Sequence, residues 1–182
     1  MLNALFCLIL ILSGISMQFA APGRMLIPIE LAVKIHNVSG VGLSLSYLIF
    51  FIGNFFTPNI RHYKLNENPF WGNLKKQLNY YTMGIFKGEQ KPFPVSKDRK
   101  FNPLQKVSYA VVMYIFVPLV IISGIIMLNP SIIEEGRVYL TVDIIHIVAG
   151  FLISFFLLIH LYFSTIGARG NYKAISTGWH EE

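Results

Sequence analysis

The stretch "HIVAGFLISFFLLIHLY", residues 146–162, is apolar enough to sit in lipid and yet carries two imidazoles. Ionisable side chains inside hydrocarbon are costly and mark function by default. His146 and His160 are 14 residues apart. At about 100° and 1.5 Å per residue this is nearly four turns, so both rings leave one helix face about 21 Å apart along the axis. A membrane helix that shows two imidazoles on one stripe, one toward each side of the bilayer, organises the reading of the rest of the chain.

Composition places that helix in its class. The chain has 182 residues, 54% hydrophobic and 13% charged, with mean hydropathy +0.55. A soluble domain carries about 25% charged residues, so the chain reads as an integral membrane protein, all-α, forming a single domain over 1–182. Four segments contain no Asp, Glu, Lys or Arg: about 2–21, 36–57, 107–129 and 144–167. Each is long enough to span, since about 20 residues cross the hydrocarbon. Each ends on breakers: Ala21-Pro22-Gly23, Thr57-Pro58-Asn59, Asn129-Pro130 and Gly167-Ala168-Arg169-Gly170. The single Cys7 supports neither an intrachain disulfide nor a thiolate metal cluster.

The formal charge of +6 does not point to nucleic acid, because of where the basic residues fall. The connection 58–106 holds ten Lys/Arg against three acidic residues, and the tail adds Arg169 and Lys173. The other connections hold only Arg24, Lys34 and Arg137. The positive-inside rule puts the long connection and the C-terminus in the cytoplasm. With four spans the N-terminus is cytoplasmic too, which gives a four-helix transmembrane bundle in a bacterial or archaeal cytoplasmic membrane.

Orientation then sets depth. The second and fourth spans run the same way, so His36 and His146 lie at one level near the outer side, and His160 lies deeper. Two imidazoles facing each other across a helical bundle make a bis-histidine clamp for a haem iron, with the porphyrin between helices. Each outer histidine is followed four residues later by glycine, His36 by Gly40 in "HNVSG" and His146 by Gly150 in "HIVAG". Position i+4 lies one turn on along the same face, and a missing side chain there leaves room for a flat macrocycle. The first and third spans echo one another: "ILSGISM" at 11–17 and "IISGIIM" at 121–127 place Gly14 and Gly124 in mid-membrane. Taken singly, these two glycines also read as plain helix-packing contacts. A histidine-dependent proton or metal transporter is the alternative that three intramembrane histidines leave open. His62 and His180 lie in hydrophilic segments and read as surface residues.

With these residues in hand, the chain resembles the di-haem cytochrome b subunits of bacterial respiratory oxidoreductases. These include the gamma subunit of membrane-bound formate dehydrogenase, the cytochrome b of nickel-iron hydrogenase and the membrane subunit of thiosulfate reductase. The resemblance runs through "ALFCLILILSGISMQF" at 4–19, "IHNVSGVG" at 35–42, "KFNPLQKVSY" at 100–109 and above all residues 146–162. It implies two b-type haems, the outer held by His36 and His146 and the inner taking one ligand from His160. The family's other inner ligand stands just before the first span, in a pattern like Arg-x-x-His-Trp ahead of "NAL". Here the sequence starts Met1-Leu2-Asn3-Ala4-Leu5, so a further histidine upstream of Met1 is expected, the alternative being a member with one standard haem. A signal peptide with "FAAP" as cleavage site competes, but no positive n-region precedes the apolar run.

"KFNPLQK", residues 100–106, opens the third span from the cytoplasm. It puts the amides of Asn102 and Gln105 and the cation of Lys106 near the membrane surface, at the level His160 approaches. Polar donors beside an apolar cavity suit a quinone, and the resemblance implies a menaquinone or ubiquinone site here. The same residues also read as a helix start, with Asn102 as cap and Pro103 at the first position. Residues 24–35 are expected to lie along the outer interface, and 63–100 to form a cytoplasmic loop with a short interfacial helix. The tail "GWHEE" reads as a surface anchor through Trp179. No phosphate loop or nucleophile triad makes the chain a complete enzyme. The expected function is an electron conduit between an outer-side iron-sulfur or cytochrome c subunit, joined to a catalytic oxidoreductase subunit, and membrane quinone. A stand-alone cytochrome b561-like transmembrane reductase is the alternative.

Overall fold

The computed structural model describes residues 2–21, 23, 25–65, 68–94, 99, 101–129, 131 and 136–165. Among them the only regular structure is helical. In order come α1 (Leu2–Gln18), α2 (Ile29–Phe56), a 3-10 turn (Pro58–His62), α3 (Phe70–Asn79) running into a wide π turn (Tyr80–Gly84), α4 (Pro103–Val111), a second π turn (Val112–Phe116), α5 (Val117–Leu128) and α6 (Gly136–Thr165). Among the described residues three helices are long and apolar enough to cross a membrane: Ile29–Phe56, the continuous Pro103–Leu128, and Gly136–Phe163. The apolar α1 is shorter, at 17 residues. The C-terminal breakers at Gly167 and Gly170, the tail cations and Trp179 lie outside the described residues, as do Pro22, Arg24, Lys100 and Pro130.

Two helix starts differ from the charge-free windows. α2 begins at Ile29, directly after Pro28, and carries Glu30 and Lys34 in its first turns. α6 begins at Gly136 and carries Arg137 and Asp143. The segment 29–35 is therefore helix continuous with the second span and not a separate interfacial stretch. Charge is costly in hydrocarbon but does not interrupt an i→i−4 ladder, so a hydropathy window stops where the helix does not. The short helix expected in the long connection is α3, and it ends before Gly88, whose φ of +69° needs glycine.

The chain divides into two compact units, Met1–Ile115 and Phe116–Glu182. In the first, α1 and α2 pack as a hairpin along a seam of small residues: Ser13, Ser16, Ala32 and Ser39 are all buried. Gly42 lets the Phe6 ring lie on the α2 backbone, since a Cβ at Gly42 would stand 2.6 Å from Phe6 Cζ. Ser46 bonds Asn3, and Ser16 bonds the backbone of Ile27 in the loop, accepting from its N at 3.0 Å. Close helix approach through small residues is how helices associate when lipid is as apolar as the partner. Replacing Gly42 with alanine is expected to push Phe6 aside and cost about 1–2 kcal/mol, the usual toll of overpacking; a denaturant midpoint for the detergent-solubilised protein checks it.

Tyr63 ties the far end of this unit together. Its ring meets Phe50 on α2 at 6.1 Å, Tyr114 at 5.7 Å and Phe101 at 5.8 Å. The π turn at Val112–Phe116 has a local cause. Pro118 sits inside the helix and offers no N–H, and its ring crowds the preceding turn. In the wide register the carbonyl left without a donor is that of Met113, and the Tyr47 hydroxyl donates to it at 2.8 Å. In the second unit α5 and α6 form a like hairpin, with Val117, Ser123 and Ala149 buried in its seam. Large apolar side chains such as Leu12, Leu45, Ile122, Phe151 and Phe155 point outward along the long helices. An apolar exterior over small-residue seams is the surface of a membrane protein.

Candidate functional site

Each hairpin presents a histidine in the same way. In the first, His36 Nδ1 stands 2.9 Å from Ser13 Oγ on α1. In the second, His146 Nδ1 stands 2.9 Å from Ser123 Oγ on α5. The separation is 23 residues in both pairs. The serines are enclosed, Ser13 at 0% exposure and Ser123 at 4%. Each also donates to its own helix, Ser13 to the Ile9 carbonyl at 2.7 Å and Ser123 to the Leu119 carbonyl at 2.5 Å. The His146 ring further bonds the Val120 backbone.

The glycines divide into two kinds. Gly14 and Gly124, beside the serines, face the imidazoles: an added Cβ would lie 3.4 Å from His36 Cε1 and 3.2 Å from His146 Cε1. They make room for the ring. Gly40 and Gly150, one turn beyond the histidines, do not. A Cβ at Gly40 would come only within 3.9 Å of Leu10 Cδ2, and at Gly150 it would meet nothing within 4 Å. One turn further on, Ser44 and Ser154 fold back to bond the Gly40 and Gly150 carbonyls at 2.7 and 2.8 Å. Among the described residues, open space therefore adjoins Gly150 on the helix that carries His146. These residues fit a flat group ligated by imidazole, which brings four of its own nitrogens and asks the protein for only one or two more. Among the described residues no cluster of three or more His, Cys, Asp or Glu gathers as a polydentate metal site would require.

His160 lies near the end of α6, half-buried and stacked on Phe156 at 5.9 Å between centroids, one turn back. An apolar groove of about 290 Å³ between α5 and α6 is lined by Phe116, Leu119, Ile144, Val148 and Leu152 among others. It contains none of the histidines, and its lining of apolar side chains offers nothing to a polar ligand.

At the start of α4 the amides of Asn102 and Gln105 form a reciprocal capping box. Asn102 Oδ1 accepts from the Gln105 N at 2.9 Å, and Gln105 Oε1 accepts from the Asn102 N at 3.1 Å, with Pro103 at the first helical position. Asn102 Nδ2 donates to the Tyr81 hydroxyl at 2.8 Å. Burial pushes the Tyr81 phenol above its ordinary value, while bonds with Asn102 and Gln77 pull the other way. Gln77 is buried, and among the described residues its Oε1 has no hydrogen-bond partner. Lys106 is half-buried on the same first turn.

Sequence reasoning singled out the three histidines and four glycines but missed Ser13 and Ser123, together with Tyr81 and Gln77. The serines carried a signal: Ser-Gly stands 23 residues before histidine in both halves of the chain. Tyr81 carried none, because its approach to Asn102 crosses a long loop, and Gln77 enters only through its bond to Tyr81 one turn on.

The model of one family, described as prokaryotic cytochrome b561, matches residues 1–178. A protein described as "Putative cytochrome YdhU", from Escherichia coli (strain K12), is 33% identical over 183 residues, covering 98% of this chain and 69% of its own length. No solved structure matches the chain. Two apolar helical hairpins, each seating a histidine on a buried serine, and a match along almost the whole length lead to one assignment: the chain belongs to the prokaryotic cytochrome b561 family.

Proposed function

We propose that the chain is the membrane cytochrome b subunit of a respiratory oxidoreductase, carrying electrons between a redox partner on the outer side and the quinone pool. The observation that carries this reading is the repeated serine-histidine pair at one separation in two hairpins. A pseudo-repeated pair of imidazoles is what a bis-histidine haem site asks of a bundle. His36 and His146 are the ligands of the outer haem, and His160 contributes to an inner one. Bound haem supplies one-electron chemistry; the chain supplies ligands, spacing and a low-dielectric surround. The four-span topology, with α1 as the first span and both termini cytoplasmic, follows from the ten basic residues of the 58–106 connection.

The outer partner is an iron-sulfur or cytochrome c subunit attached to a catalytic subunit, and the quinone is menaquinone or ubiquinone. Purification of the native complex from membranes tests the assignment. A Soret band, b-type bands on reduction and a co-purifying redox subunit are expected. A haem-free subunit that still recruits its partner would make it a structural anchor. The family's description as cytochrome b561 favours a second reading, a stand-alone transmembrane reductase; recovery of the haem protein without any redox partner would select it.

Quinone chemistry belongs at the cytoplasmic start of α4, around Asn102, Gln105 and Lys106, with His160 as the further candidate the sequence offers. The capping box supports a fixed polar end there, and it also decides how the site must be tested. Removing the Asn102 cap by alanine costs about 1 kcal/mol of helix stability whatever the residue does for quinone. Asn102→Asp with Gln105→Glu keeps cap acceptors while removing the amide donors. In the assembled complex this double variant is expected to leave haem reduction from the partner side intact and lower quinone turnover about tenfold, the scale of one lost hydrogen bond to a buried polar group. Unchanged turnover and inhibitor affinity would place the site elsewhere.

A further inference from the structure

We propose that Ser13 and Ser123 are positioning residues that hold His36 and His146 as Nδ1–H tautomers, so that each ring offers Nε2 to iron. The proposal rests on the cytochrome reading above.

The argument is a count of protons. A serine hydroxyl has one. Carbonyls only accept, so the 2.7 Å contact of Ser13 Oγ with the Ile9 carbonyl, and the 2.5 Å contact of Ser123 Oγ with that of Leu119, each consume that proton. Only lone pairs remain on Oγ. The 2.9 Å contacts to Nδ1 must then run from ring to serine, with Nδ1 carrying the hydrogen. A neutral imidazole has one N–H, so its lone pair lies on Nε2. The Val120 carbonyl, 3.3 Å from Ser123 Oγ, adds a second acceptor for the hydroxyl beside that of Leu119.

The surroundings keep this arrangement in place. Ser13 and Ser123 are buried, so water does not compete for them. Gly14 and Gly124 hold the ring edge at a distance that a larger residue would not allow. The whole unit occurs twice, in hairpins whose remaining residues differ widely. An N–H donated from the non-ligating nitrogen fixes ring rotation and raises the basicity of the ligating one. A more basic ligand favours ferric over ferrous iron and lowers the midpoint potential.

The test uses the native complex and reads haem per polypeptide, low-spin EPR g-values and midpoint potentials. Ser123→Ala is expected to shift the ferric–ferrous balance of one b-type haem about tenfold toward ferrous, an upward move of about 59 mV for one electron. Ser123→Thr keeps the hydroxyl and its back-bond and is expected to restore the wild-type potential and g-values. Thr141→Val removes a like back-bond, to the Arg137 carbonyl at 2.9 Å, from α6 without touching an imidazole, and is expected to change neither. Should Ser123→Ala lose haem altogether, retention of haem at the wild-type potential by Ser123→Thr supports the proposal. Alanine and threonine variants that behave alike overturn it. A haem-free wild-type complex overturns the cytochrome reading itself, whereas a haem-bearing wild type with an unmoved alanine variant overturns only the role of the serines.

Discussion

Replacing His146 with alanine is expected to remove one low-spin b-type haem from the complex while leaving the polypeptide inserted. A low-spin haem needs two strong axial ligands, and the chain has few imidazoles to offer: five histidines in all, with His36, His146 and His160 on the long apolar helices. His146 stands well inside α6, ten residues past its start, and is held by Ser123. Its loss creates a small cavity in a seam already closed by Ala149 and Val117, so the hairpin survives. His36→Ala is expected to remove the same spectral component, since the proposed site takes one ligand from each hairpin. His160→Ala is expected to remove a different one, because His160 lies about 21 Å further along α6 at 1.5 Å per residue. Reduced-minus-oxidised spectra with haem counted per chain decide the matter. A His146→Ala spectrum identical to wild type would end the pairing.

Gly150→Leu is expected to cost most of the same haem, for a reason that separates cofactor room from protein packing. Among the described residues a Cβ at Gly150 meets no atom within 4 Å. A larger side chain there also gains helix propensity, about 1 kcal/mol for replacing glycine in a helix interior. The variant should therefore insert and fold as well as wild type, and haem loss would come from space the macrocycle itself needs. Gly124→Leu is the contrasting case. Its Cβ would stand 3.2 Å from His146 Cε1, so the ring is displaced directly and haem is lost whatever lies near Gly150. Full haem content in Gly150→Leu, alongside loss in Gly124→Leu, would show that Gly150 has no share in the cofactor site.

Much of this was legible in the chain itself. Low charge and four charge-free windows fix the membrane class, because hydrocarbon admits few charges over about 20 residues. The 14-residue spacing of His146 and His160 is a property of helical geometry alone, and so is the common face it implies. Other features needed the folded hairpins. α2 and α6 begin at Ile29 and Gly136, upstream of the charge-free windows, because backbone hydrogen bonding continues through Lys34 and Asp143 where hydropathy stops. Gln105 reads from sequence as a polar group at the membrane surface; its carbonyl oxygen is in fact spent on the Asn102 backbone. Ser13 and Ser123 read as ordinary small residues in apolar runs, and what they do depends on the register between two helices joined by a loop. Helical period says which residues share a face; only packing decides which face meets which, and the 2.9 Å contact of a hydroxyl with an imidazole exists only once α1 has met α2 and α5 has met α6.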